Sequence, residues 1–219
     1  MARALVPWHV IEDMPTLNGQ PILNYPWINI YRAVDWGFFP DPAVCLWIAV
    51  LPNKVAIVFK ERSWLRTLAT DVAAEIKRES VDMRVAETFC DPTMFIKTGV
   101  STFSVGELFE QAGVPLSQSI NRRDFLGYAI HQYLNEIIDG RPKLQIVQPM
   151  GAYGCKDLIR TLPQIRMDPA DATKMANGDD HWAVALAYFC SGSPAPSQHP
   201  LHTTVPFWMR KKPRRRIYG

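Results

Sequence analysis

The sequence predicts an α/β fold on a mixed five-stranded sheet, three antiparallel strands followed by two on helical crossovers, flanked by helices. Three observations carry that expectation. Strand-type runs crowd together at Ile30 to Trp36, Val44 to Val50 and Lys54 to Lys60; the last two are joined by Leu51-Pro52-Asn53, which makes an antiparallel meander. From Ser63 the period becomes helical, with Leu65, Leu68, Ala69, Val72, Ala73 and Ile76 at spacings of three and four. Two further strand-type runs, Val81 to Cys90 and Leu144 to Val147, are then separated by helical segments.

The elements follow from local chemistry. Residues 1–30 read as an extended lead-in, broken by Pro7, Pro15, Pro21 and Pro26 and held to the body by Trp8 and Trp27. The first strand carries Asp35 in its interior, within Ala33-Val34-Asp35-Trp36-Gly37, where an ionised carboxylate is costly unless a cation or hydrogen bonds compensate it. Ser63 is the expected N-cap of the first helix, which Lys77, Arg78 and Glu79 close. The fourth strand delivers Asp91 at its C-terminal end, just before Pro92. Ser104-Val105-Gly106-Glu107 fits a capping box ahead of Leu108 and Phe109. A helix over Arg122 to Ile138 ends at Asp139-Gly140, and a short one spans Lys156 to Leu162. After a polar loop from Met167 to Gly178, Asp179-Asp180-His181-Trp182 opens an almost wholly apolar helix through Ala183 to Phe189. The body is thus 31–190, and 191–219 is a Pro-rich wrap ending in a basic tail.

A chain of 219 residues that is 47% hydrophobic and 21% charged supports one good core, so one domain is expected. It has no run of about 18 apolar residues to span a bilayer and no signal-peptide core near Met1, which reads as a cytosolic protein. Cys45, Cys90, Cys155 and Cys190 lack any C-x-x-C spacing and read as buried thiols. The net charge is +3, but Arg210, Lys211, Lys212, Arg214, Arg215 and Arg216 place six positive charges in seven residues. Such a tail can contact phosphates or an acidic protein surface, or simply be solvated.

The carboxylates carry the chemistry. Asp35, Asp91 and the pair Asp179-Asp180 stand at or near element boundaries, and the first and fourth strands of such a sheet are neighbours. Acids gathered there repel unless a cation joins them, and an oxygen-rich set suits Mg2+ or Mn2+. Two ions about 3.5 to 4 Å apart can hold both the attacking and the leaving oxygen of an in-line displacement at phosphorus. Asp35 is the expected bridging ligand, with Asp91 and Asp180 holding one ion each and Asp179 beside them. An N-cap with a first-turn acid is the plainer reading of Asp179-Asp180. Glu61, His181, Arg122 and Arg123 are lesser candidates, each with a simpler structural role.

With these residues in view, Ala33 to Gly37 followed by Asp41-Pro42-Ala43, then Cys90-Asp91-Pro92, then Gly178-Asp179-Asp180-His181 leading into Ala185-Leu186-Ala187-Tyr188, resemble the nuclease domain of the large terminase subunit of tailed bacteriophages. Leu158-Ile159-Arg160, Leu162-Pro163 and Met167-Asp168-Pro169 add to the likeness, which spans roughly 30–190. The resemblance implies a ribonuclease H-like, divalent-metal endonuclease that cuts concatemeric double-stranded viral DNA in the host cytoplasm; little sequence preference is expected, since the sequence shows no zinc finger or clear recognition helix and phosphates carry no sequence code. It makes Asp35, Asp91 and Asp180 the catalytic acids. It also implies a packaging ATPase, a portal protein and a small terminase subunit as partners. The chain departs from the family at Val184 and Ala187, where many members carry Asp and Arg, and it has no G-x-x-x-x-G-K-[ST] loop for an ATPase of its own. Another ribonuclease H-like phosphodiesterase, such as a junction resolvase, and a non-catalytic portal-docking module are the alternatives.

Overall fold

Seven strands form one mixed sheet in the computed structural model, which describes residues 7–97, 102–120, 122–166 and 178–198. They are β1 (Val10–Ile11), β2 (Asn29–Asp35), β3 (Ala43–Val50), β4 (Ala56–Trp64), β5 (Val85–Cys90), β6 (Ser117–Gln118) and β7 (Leu144–Val147), in the order β1-β7-β4-β3-β2-β5-β6. The helices are α1 (Ala69–Arg78), α2 (Val105–Gln111), α3 (Arg123–Asn135), α4 (Lys156–Thr161) and α5 (His181–Ser191).

The meander is as expected: β2, β3 and β4 pair antiparallel, with Asp35 opposite Val44 and Val44 opposite Ser63. The five expected strands are all present, and β1 and β6 add two more. Each has only two residues, too few to show a period in sequence. The parallel strand that a helical segment carries past β5 is β6, whereas Leu144–Val147 lies at the other side of the meander, parallel to β4.

The third strand runs on through Trp64, so Ser63 is a paired strand residue and caps nothing. The chain turns at Arg66, with φ of +54°, and α1 starts at Ala69 with Leu68 at its N-cap, which leaves Leu65 and Leu68 exposed. Ala69, Val72, Ala73 and Ile76 are buried as their spacing requires. Ser104 and Glu107 form the capping box in full. The four cysteines are free and buried.

Strand alternation sends side chains into two cores, one on each face. Tyr31, Ala33, Leu46, Val58 and Phe89 meet α3, α4 and α5, while Val34, Cys45, Trp47, Ile57 and Phe59 meet α1 and α2. Trp182 through Cys190 are all buried, so α5 is apolar on every side and lies across β2, β3 and β5. Each such buried Leu or Phe contributes about 1.5–3 kcal/mol. The segment after α5 returns over the sheet: Asn29 N donates to Ser197 Oγ (2.7 Å) and Tyr31 Oη to the carbonyl of Ala195 (2.9 Å). Among the described residues no helix is long and apolar enough to cross a membrane. The basic tail, Arg210 to Arg216, and nearly all of the polar loop from Met167 lie outside the described residues.

Candidate active site

Parallel pairing sets the site. Val34 of β2 stands beside Cys90 of β5, so the next residue on each strand, Asp35 and Asp91, emerges at the same sheet edge. Alternation fixes the face as well: Asp35 follows Tyr31 and Ala33, and Asp91 follows Phe89, all toward α5. Asp35 is the last strand residue rather than an interior one, because the chain leaves the sheet at Trp36. The loop then doubles back tightly. A Cβ on Gly37 would lie 2.5 Å from the carbonyl oxygens of Asp41 and Pro42, so only glycine permits the approach that brings Asp41 to the site.

From above the edge, α5 supplies the third wall. Asp180 is its N-cap residue and 5% exposed, and Asp180, Val184 and Tyr188 recur every four residues along one helix face. Asp35, Asp41, Asp91, Asp180, His181 and Tyr188 line one cleft of about 320 Å³, rimmed by Phe38 and Phe39.

His181 is the basic side chain that meets these acids among the described residues. Its Nδ1 lies 3.0 Å from Asp35 Oδ2 and its Nε2 3.4 Å from Asp41 Oδ1, so the ring is wedged between two carboxylates. The bond to Asp35 raises the imidazole above its ordinary value, favouring the form protonated at both nitrogens. Asp35 itself is raised, chiefly by burial, with the nearby charges of Asp91 and Asp180 adding to the rise and His181 opposing it. Asp91 is held by the backbone N–H of Thr93 (2.6 Å to Oδ1) and by the Tyr188 hydroxyl, which donates to Oδ2 at 2.8 Å. Burial, first of all, pushes the Tyr188 phenol far above its ordinary value, so it stays a donor.

The remaining sequence candidates lie elsewhere. Asp179 is exposed and pairs with Arg160 of α4 at 3.1 Å, away from the cleft lining. Glu61 accepts from the backbone N–H groups of Asp157 and Leu158 (2.6 and 3.0 Å), which makes it the cap of α4. Arg122 is exposed at the N-cap of α3. Asp41 and Tyr188 enter the cleft without having stood out as candidates. The spacing of Tyr188 from Asp180, two helical turns, was the signal for it; Asp41 is brought in only by the turn at Gly37.

As a donor set, the four carboxylates of one open cleft, Asp35, Asp41, Asp91 and Asp180, fit a hard divalent cation. Among the described residues no three acids, histidines or cysteines are arranged to hold an ion as they stand, with Asp35 engaged by His181 and Asp91 by Tyr188.

No protein-family model matches the chain, and no curated protein matches it in sequence. Solved structures share its fold. The nuclease domain of g2p, the large terminase of bacteriophage SPP1, with bound Mn, is 15% identical with a TM-score of 0.51 over 82% of this chain and 92% of that one. The large terminase nuclease of thermophilic phage G20c with bound magnesium is 15% identical with a TM-score of 0.57, over 76% of this chain and 82% of its own. The nuclease domain of the large terminase subunit gp2 of bacterial virus Sf6 is 14% identical with a TM-score of 0.51, over 76% and 89%. The chain therefore has the ribonuclease H-like fold of the large terminase nuclease domains, as the sequence led us to expect.

Proposed function

We propose that this chain is a divalent-metal-dependent endonuclease that cleaves double-stranded DNA during viral genome packaging. The observation that carries the reading is the convergence of Asp35, Asp91 and Asp180, from two strand ends and a helix start, on one cleft. Its setting in a fold shared with terminase nucleases solved with Mn, magnesium, cobalt and, for a variant Sf6 chain, calcium supports the same reading.

Asp35, Asp91 and Asp180 would hold Mg2+ or Mn2+, in the two-ion arrangement that three carboxylates allow. Bound there, the cation supplies Lewis-acid stabilisation of charge developing on the phosphate oxygens. The chain's own residues do the rest. Tyr188 and the Thr93 N–H fix the Asp91 carboxylate by engaging one oxygen each, and a fixed ligand loses no rotamer freedom on binding. His181 lies between Asp35 and Asp41 and opposes the rise that burial and the neighbouring acids impose on the Asp35 carboxyl. Val184, apolar where many terminase nucleases carry an acid, confines the oxygen donors to the other positions.

Asp179, tethered to α4 by Arg160, has the weaker claim as a ligand. The tail from Arg210 to Arg216 would bind DNA phosphates without reading sequence. A packaging ATPase, a portal protein and a small terminase subunit would be its partners in the infected host cytoplasm.

The test is cleavage of supercoiled plasmid with Mn2+, Mg2+ or chelator, by wild type beside Asp35→Ala and Asp180→Ala. Metal-dependent cutting lost in both variants is the expected result. Undiminished cutting by either folded variant removes that acid from the site.

A further inference from the structure

On the face of the sheet away from α5, Arg32 is 5% exposed and has no ion pair among the described residues. Its Nε and Nη2 both donate to Thr88 Oγ1 (3.0 and 2.7 Å), and its Nη1 to Ser80 Oγ (3.4 Å). A guanidinium carries five N–H donors, so three are spent on two neutral hydroxyls. Ser80 is already shared, accepting from Trp47 Nε1 (2.8 Å) and donating to the carbonyl of Ile76 (2.7 Å). The titratable neighbour, Cys45, offers no charge, since burial pushes its thiol up to about 12. A buried cation with only neutral acceptors is costly, and arginine does not escape by losing its proton.

That guanidinium borders a pocket of about 380 Å³ between the end of α1, the start of β5 and the turn after α2. A second cation stands there: Lys77, exposed at the end of α1, donates through Nζ to the carbonyl of Ala112 (3.3 Å). Glu87 also borders the pocket and pairs with neither cation. Two positive charges, a planar donor fork and the hydroxyl of Thr88 make a set that a dianion balances and a single carboxylate does not. The volume suits a small molecule.

We propose that this pocket is an oxyanion site for the phosphate group, taken as free phosphate or as a nucleoside monophosphate, with Arg32 and Lys77 as its cationic contacts. The site is distinct from the acidic cleft. It lies on the other face of the same strand pair, with Arg32 and Thr88 in register three residues before Asp35 and Asp91. An occupant would therefore brace the two strands that carry the acids.

The full chain in chelator is titrated with inorganic phosphate and with a deoxynucleoside 5′-monophosphate, against sodium chloride of equal ionic strength, reading melting temperature and heat of binding. Either phosphate source should raise the melting temperature where chloride does not. Arg32→Met should fold, since an apolar isostere for a buried charge is commonly neutral or stabilising, and should lose about tenfold or more in phosphate affinity. Lys77→Ala, at an exposed position, should weaken binding by about threefold or more. A wild-type response no larger than that of chloride, or one retained in full by Arg32→Met, overturns the proposal. Should Arg32→Met fail to fold, unchanged phosphate affinity in Lys77→Ala overturns it equally.

Discussion

Two charges on β2, Arg32 and Asp35, are separated by three residues and by the thickness of the sheet. Asp35 belongs to a crowd of its own sign: Asp91 and Asp180 act on it through space, and His181 opposes them. Arg32 is solitary, its charge set against the hydroxyls of Thr88 and Ser80. Stability explains neither arrangement, because an apolar residue at either position would fold at least as well. The difference lies in what relief costs. Neutralising one acid of a crowd removes repulsion, whereas removing an acceptor from a lone cation deepens its isolation. Removing an acid from the crowd should therefore not lower stability, whereas removing an acceptor from Arg32 should.

The largest effect belongs to the crowded side. Asp35→Asn keeps the shape and an acceptor for His181 but deletes the charge, and metal-dependent plasmid cleavage should fall by about three orders of magnitude, or ~4 kcal/mol in the barrier. Its melting temperature in chelator should not fall. A variant that melts earlier while still cutting would break the contrast at its acidic end.

On the solitary side, Thr88→Val conserves volume and removes the oxygen that accepts from both Nε and Nη2 of Arg32. Leaving those donors buried without an acceptor should cost about 2–3 kcal/mol, read by urea denaturation with an unchanged slope. A loss below about 0.5 kcal/mol would mean that water reaches the guanidinium through the pocket and the isolation is only formal.

Lys60 sharpens the contrast, being a cation on the same face that does have a carboxylate. It is 7% exposed, lies 5.2 Å from the centre of the Trp47 ring and pairs with Glu79. The hydrogen bond from Lys60 is the chief reason the Glu79 carboxyl sits below its ordinary value of 4.5. A lowered acid contributes stability in full above its ordinary value and loses it as pH falls through the lowered one. Glu79→Gln should accordingly cost about 1–2 kcal/mol at neutral pH, and the two stability curves should converge on the acid side. A gap independent of pH would assign the effect to packing.

What the sequence disclosed follows the same division between local and non-local causes. The meander, α1, the capping box and the apolar α5 were legible because each is written in a period or a four-residue motif. The acids Asp35, Asp91 and Asp180 drew attention because Asp35 interrupts an apolar run and the other two stand where an apolar element ends or begins. The short strands β1 and β6 were not, since two residues have no period and are strands only through their neighbours β7 and β5. Ser63 misled for a related reason: it has the chemistry of a cap, but pairing with Val44 held it in the strand. The partner of Asp35 lies 146 residues away, a separation that no local pattern encodes.

The smallest effect tests the finest distinction, between the adjacent acids Asp179 and Asp180. Asp180 is buried in the cleft wall, while Asp179 is exposed and paired with Arg160, the first cause of the arginine's raised value. Water and salt screen such an exposed pair, so its loss should leave the melting temperature unmoved. Asp179→Asn should cut plasmid within about threefold of wild type, whereas Asp180→Asn should fall with Asp35→Asn. Equal losses at both positions would show that Asp179 leaves Arg160 for the cleft when DNA and metal are present, and the ion pair would then be a tether that α4 releases rather than a fixed brace.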